Sequence, residues 1–208
     1  MVSKAIGNEC NNRIKRKGGV KKGRIFVVSA PSGSGKTTIC KKVLKKTRSL
    51  VLSISMTTRR PRPGERNRKD YYYVSRESFK KQIKKDNLLE WAENFGYFYG
   101  TPKRFVLAKI KEDKDVLLSI DVKGAMQIKR KFPKSVLIFI KPPSLKELSR
   151  RLKTRNTDRG AEIARRLKIA KKELKALPRY NYVIVNKKLG DAVKKVISVI
   201  KKERKKGG

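Results

Sequence analysis

Short apolar runs recur along the chain, each followed by a stretch in which apolar residues return at helical spacing among basic ones. The first run, Ile25-Phe26-Val27-Val28-Ser29, is rich in β-branched residues and predicts a strand. A Gly/Ser-rich turn follows it, and then a helix over 36–46. Val51-Leu52-Ser53-Ile54 reads as a second strand. The runs 116–120 and 136–140 are continuously apolar, the pattern of strands buried on both faces, with a helical segment near 125–131 between them. A helix is expected over 77–85, and the stretch 145–177 is strongly helical and dense in Arg and Lys. Tyr182-Val183-Ile184-Val185 predicts a last strand. A closing amphipathic helix over 191–202 puts Val193, Val196, Ile197 and Ile200 on one face. Buried strands alternating with helices predict an α/β fold with a parallel sheet.

Composition narrows the chemistry. The chain of 208 residues has no histidine, which excludes Ser-His-Asp and Cys-His nucleophile systems and most catalytic zinc sites. Any reaction must run on Lys, Arg, carboxylates, hydroxyls or a bound cation. Cys10 and Cys40 have neither metal-ligand nor disulfide-framework spacing, which fits a reducing compartment; the expected location is cytoplasmic. No apolar run approaches the roughly 18 residues that a membrane span requires, so no membrane partner is expected, and no pattern specifies an oligomer. With 58 Lys and Arg against 17 Asp and Glu, the formal net charge is +41. That surplus has two readings: a polyanion such as nucleic acid as partner, or a compositional bias toward lysine spread along the whole chain. Residues 1–23 are basic and glycine-dotted without an apolar period, and are expected to be a disordered leader.

After the first strand the sequence reads Ala30-Pro31-Ser32-Gly33-Ser34-Gly35-Lys36-Thr37-Thr38. This is a P-loop in its required setting, strand before and helix after. The glycines let successive backbone N–H groups curl around a phosphate, and the helix N-terminus adds partial positive charge. All nine residues are expected to bind ATP, with Lys36 reaching the β- and γ-phosphates and the Thr37 hydroxyl on Mg²⁺. The strict motif has Gly where Ala30 stands, and alanine is the smallest replacement. Asp121, at the end of the run 116–120, has two readings: holding the water shell of the metal, or capping a helix.

Residues 53–101 carry the motifs that separate one P-loop family from another. They include Ser55-Met56-Thr57-Thr58-Arg59-Arg60-Pro61-Arg62-Pro63-Gly64-Glu65, Asp70-Tyr71-Tyr72-Tyr73-Val74, Leu89-Glu90-Trp91-Ala92 and Tyr97-Phe98-Tyr99-Gly100-Thr101. In order and spacing these resemble guanylate kinase, over about nine tenths of the chain from Arg24 to the final helix. The resemblance implies a three-layer P-loop fold with a five-stranded parallel core (24–55, 102–144 and 178–203). It also implies an inserted GMP-binding region over 56–101 and a helical lid over 145–177. It implies that Arg59, Arg62, Tyr71 and Tyr99 hold the GMP phosphate. Glu90, Ser55 and Thr101 would read guanine, with Gly100 and Asp121 beside them. In the lid, Arg151, Arg155 and Arg166 would be brought to the triphosphate.

The chemistry of these residue types agrees with those roles. Guanine offers N1–H and N2–H₂ donors next to the O6 acceptor, so one carboxylate accepts from both donors while hydroxyls donate to O6. Adenine has an acceptor at N1 and would leave Glu90 unpaired, and polar matching of this kind discriminates by about 10⁴–10⁵-fold. Guanidinium forks and phenols suit a monophosphate dianion. Phosphoryl transfer needs positioning and charge stabilisation, not an imidazole.

The expected function is therefore Mg²⁺- and ATP-dependent phosphorylation of GMP, and of dGMP, by direct in-line transfer. Nonspecific nucleic-acid binding is a side property of the charge. Some positions depart from the family pattern: Ser119 where Asp is common, Lys123 for Gln, Asn156 for Gly, and Lys187-Lys188 where acids are usual. Three alternatives compete. A non-catalytic binding module would show an eroded P-loop, and a kinase for a phosphorylated sugar would lack the guanine readers. A polyanion-binding protein would use the kinase fold only as a scaffold.

Overall fold

The computed structural model describes residues 23–154 and 160–206. Its main sheet is built from β1 (Ile25–Ser29), β2 (Leu50–Leu52), β7 (Asp115–Ser119), β8 (Val136–Lys141) and β9 (Tyr182–Val185), in the order β2-β7-β1-β8-β9. Every neighbouring pair is parallel. The central strand β1 is buried along its whole length, and its side chains alternate between two apolar layers. Phe26 and Val28 pack with Ile39 and Val43 of α1 (Lys36–Lys46) and with Val193, Val196 and Ile200 of α7 (Leu189–Lys205). Ile25 and Val27 face the opposite layer, with Val106 of α3 (Lys103–Lys111) and with Ala125 and Ile128 of α4 (Val122–Lys131). Helices on both faces explain why these strands read as unbroken apolar runs.

A second sheet, ordered β4-β3-β6-β5, stands between β2 and α3 in the chain. It comprises β3 (Met56–Thr57), β4 (Tyr72–Tyr73), β5 (Leu88–Asn94) and β6 (Tyr97–Pro102), and α2 (Arg76–Lys84) packs on it through Phe79. β5 and β6 form an antiparallel hairpin whose register slips between Leu88 and Glu90, leaving Leu89 as the extra residue of a bulge. The bulge sends three consecutive side chains into buried surroundings. Leu88 joins the small-sheet cluster, Leu89 joins the main core, and Glu90 stands opposite Thr101.

The helical stretch 145–177 divides into α5 (Leu145–Thr154) and α6 (Gly160–Leu174), followed by a 3₁₀ turn over Leu177–Arg179. Leu148, Leu152, Ile163 and Ala170 join the two helices into one arm. The expected lid arginine Arg155 and the departure Asn156 lie outside the described residues, as does the leader up to residue 22. No helix among the described residues is long and apolar enough to cross a membrane. The helix α3 is not marked by any strong sequence pattern: Val106 is the single residue it buries fully. The second strand runs over Leu50–Leu52, shorter than the apolar run 51–54, and Ser53 N–H makes a further bond to the Leu117 carbonyl at 3.1 Å.

Candidate active site

The turn between β1 and α1 closes with Ser34 N–H donating to the Pro31 carbonyl at 3.1 Å. Gly33 and Gly35 both take positive φ, 90° and 87°. The space around them is filled from outside. A Cβ on Gly33 would lie 3.0 Å from Leu152 Cδ2 and 3.1 Å from Leu148 Cδ1, so the arm rests directly on the loop. A Cβ on Gly35 would lie 2.7 Å from the Asn186 amide nitrogen, which donates to the Ser34 carbonyl at 2.9 Å. Loop conformation and close packing both demand glycine here. Lys36 Nζ donates to the Ile120 carbonyl at 2.8 Å, and burial pushes its ammonium below the usual value.

A cavity of about 400 Å³ opens between this loop, the small sheet and the arm. From the P-loop it is walled by Ala30, Pro31, Ser32, Gly33, Gly35, Lys36, Thr37 and Thr38; Ser34 is buried behind them. From the small sheet and its approach it is walled by Ser55, Arg59, Arg62, Tyr71, Glu90, Tyr99 and Gly100. Asp121 lines it from the end of β7, and Arg166 from α6. Residues as far apart in sequence as Ala30 and Arg166 thus meet around one space. Arg151 stands off the cavity wall: its Nε donates to Glu147 at 2.8 Å and its Nη2 to the Asn186 carbonyl at 3.1 Å.

On the small-sheet side, Arg59 is held by Glu65, a carboxylate of the same sequence motif to which the sequence reading gave no role. Its Nη2 donates to both Glu65 oxygens, at 3.0 and 2.8 Å, and its guanidinium lies 5.5 Å from the Tyr71 ring centroid. Tyr73 Oη and Arg62 N–H also donate to Glu65, each at 2.8 Å. Burial works to raise the Glu65 carboxyl, and these hydrogen bonds from Arg62, Tyr73 and Arg59 outweigh it, holding the group below the usual carboxylate range.

Glu90 is 3% exposed and accepts from Thr101 Oγ1 at 2.6 Å. Burial raises its carboxyl to about 7 against the opposing hydrogen bond from Thr101. Thr101 is fully buried and does not reach the cavity wall; it meets Glu90 instead of the open space. The other oxygen of Glu90 faces α4, where a Cβ on Gly124 would lie 2.2 Å from Oε2. Gly124 therefore makes room for the carboxylate.

Asp121 caps α4: its Oδ1 accepts from Gly124 N–H at 2.9 Å. Its Oδ2 accepts from the Asn94 amide at 2.5 Å. Glu173 of α6 lines the cavity, and burial followed by the nearby Asp121 charge raises its carboxyl to about 7. Glu65, Asn94, Phe95, Gly124 and Glu173 were all missed as site residues from sequence. Their roles depend on approach between distant elements, and only the run Pro63-Gly64-Glu65 gave a local signal.

For a divalent cation, Thr37 offers a hydroxyl exposed on the cavity wall, and Asp121 offers carboxylate oxygens already oriented by two donors. Among the described residues no group of three or more His, Cys, Asp or Glu forms a metal cage. The donor set suits Mg²⁺, which keeps several waters and takes the rest of its shell from one or two protein oxygens and substrate phosphates.

Comparison with known proteins fits this arrangement. The guanylate kinase family model matches residues 22–203. The guanylate kinase of Caldanaerobacter subterraneus subsp. tengcongensis is 48% identical over 184 residues, covering 88% of this chain and 89% of the relative. That of Thermotoga maritima is 44% identical over 185 residues, covering 89% of each. Among solved structures, the guanylate kinase from Anaplasma phagocytophilum superposes with a TM-score of 0.76 at 34% identity, covering 88% of this chain and 87% of the other.

Proposed function

This chain belongs to the guanylate kinase family and transfers a phosphoryl group from ATP to GMP, and we propose that the cavity between P-loop, small sheet and arm is where it does so. The observation that carries the proposal is the placement of Glu90, buried and held by Thr101, on the same cavity as the P-loop. The site then has one wall for a purine base and another for a polyphosphate.

In this reading the Glu90 carboxylate accepts from guanine N1–H and N2–H₂. Ser55 donates to O6, while Thr101 keeps the carboxylate aimed. Arg59, Arg62, Tyr71 and Tyr99 surround the GMP phosphate, with Gly100 letting the backbone approach. ATP lies along 30–38, its phosphates cradled by backbone N–H groups and by the N-terminus of α1. A GMP phosphate oxygen forms the new bond to the γ-phosphorus as the bond to the ADP oxygen breaks, so no covalent enzyme intermediate is required. Lys36 and Arg166 stabilise the charge that spreads over the transferring group, and Arg151 and Arg155 join them from the lid. Thr37 and Asp121 would hold Mg²⁺, which would supply charge neutralisation for the ATP phosphates. Excluding water keeps the phosphoryl group from hydrolysis.

The base and phosphate contacts proposed here are common to GMP and dGMP, so dGMP is expected to serve as a substrate alongside GMP. The surplus positive charge outside the cavity attracts polyanions without selecting among them. A cytoplasmic, reducing setting suits the buried free Cys40.

A coupled ADP-release assay with GMP, dGMP, AMP and UMP tests the placement when wild type is compared with Lys36→Ala. GMP-dependent release that vanishes in Lys36→Ala supports it. Undiminished release in the variant would remove the P-loop assignment.

A further inference from the structure

The hairpin that carries Glu90 ends in the turn Phe95-Gly96, between the paired residues Asn94 and Tyr97. Both turn residues have positive φ, 53° and 80°. Mirror-image hairpin turns of this kind favour Asn, Asp or Gly at such positions, because a bulky side chain at positive φ is strained. The sequence nevertheless places a phenylalanine there. Its ring lies on the cavity wall with two guanidinium groups of α6 near its centroid, Arg166 at 5.3 Å and Arg165 at 5.5 Å.

The two arginines are not equivalent. The Arg165 side chain is 61% exposed, whereas that of Arg166 is 14% exposed. Attraction between a cation and an aromatic face strengthens as water is removed, so Arg166 is the partner that matters. Arg166 also donates through Nη1 to Ser32 Oγ of the P-loop at 2.9 Å and through Nε to Glu162 at 3.2 Å. Next to Phe95, the Asn94 amide donates to Asp121 at the end of β7. The hairpin tip is thus tied to the core by one residue and to the arm by the next.

We propose that Phe95 is a positioning residue for phosphoryl transfer: its ring face fixes the Arg166 guanidinium beside the P-loop, linking the GMP-binding sheet to the arginine that meets the triphosphate. The proposal rests on the reading of the cavity given above. It explains why an aromatic residue occupies a strained turn, where Asn would relieve the backbone but offer Arg166 no ring. Arg166 is the group that touches substrate; Phe95 acts through it.

The test uses Phe95→Leu, which keeps apolar bulk without a ring, and Phe95→Tyr, which keeps the ring, each in wild type and in Arg166→Met. Steady-state kinetics are measured at saturating ATP, with thermal midpoints to confirm folding. Phe95→Leu is expected to lower kcat by about five- to tenfold with KM for GMP within about twofold. Phe95→Tyr is expected to stay within about twofold of wild type, and Phe95→Leu to cost less than about twofold in Arg166→Met. Equal losses for Leu and Tyr, or the same loss from Leu with and without Arg166, would overturn the positioning role while leaving the cavity assignment in place. Full GMP turnover in Lys36→Ala would instead overturn the cavity assignment.

Discussion

Thr101 Oγ1 donates to Glu90 Oε1 across 2.6 Å, joining a fully buried hydroxyl on β6 to a carboxylate raised to about 7 on β5. At that value the carboxylate is half protonated at neutral pH. In the proposed reading, guanine recognition requires the ionised Glu90 carboxylate, since both facing groups of the base are donors. Ionisation is lost as pH falls through about 7, so kcat/KM for GMP is expected to fall with decreasing pH below that point, approaching tenfold per unit. The GMP phosphate itself titrates near about 6, and Thr101→Val separates the two. Removing the donor that stabilises the carboxylate moves the Glu90 limb to higher pH and leaves the phosphate limb where it is. A pH–rate profile of both proteins checks this.

Gly124 offers a sharper steric test. Alanine is favoured over glycine inside a helix by about 0.5–1 kcal/mol, so Gly124→Ala is expected to leave the thermal midpoint unchanged or raised. The new Cβ would nevertheless lie 2.2 Å from Glu90 Oε2, and the flexible carboxylate, not the helix backbone, must move. A fall of at least about tenfold in kcat/KM for GMP, in a protein no less stable, is the expected outcome. Thermal melts and kinetics on one preparation measure both.

The Arg59–Glu65 pair makes a third prediction. Its members are 11% and 22% exposed, and Glu65 also takes Tyr73 Oη and Arg62 N–H. Glu65→Gln removes the charge that orients Arg59 and loosens the loop bearing Arg62. KM for GMP is expected to rise about five- to tenfold with kcat within about twofold, because a phosphate-holding contact acts equally before and during transfer. Initial-rate kinetics over a range of GMP concentrations would reveal it, and a change confined to kcat would assign Glu65 to another role.

How far these relationships were legible in the sequence depends on their range. The span 25–29 and the helix 36–46 match β1 and α1 because an apolar run, a glycine turn and a helical period are local signals. The last strand likewise matches Tyr182–Val185. In the small sheet, β3 and β4 carried no such signal, since they are two residues each and are made by pairing, not by period. Glu90 was recognisable through the family resemblance, yet its burial depends on a bulge at Leu89 that no residue pattern announced. Phe95, Asn94 and Glu173 became site residues only when the hairpin tip, the end of β7 and α6 were brought to one cavity. The missing histidine excluded the right chemistries. The +41 charge pointed only broadly toward anions.

The assignment of Glu90 as the reader of guanine is tested most directly by the ratio of kcat/KM for GMP to that for AMP, in wild type and in Glu90→Gln. Gln replaces one acceptor oxygen with a donor, which meets the guanine donors unfavourably and accommodates adenine N1. The ratio is expected to fall by at least about 100-fold in the variant, chiefly through lost GMP turnover. An unchanged ratio in a folded, active Glu90→Gln enzyme would contradict the assignment and send the search for the guanine reader elsewhere on the cavity wall.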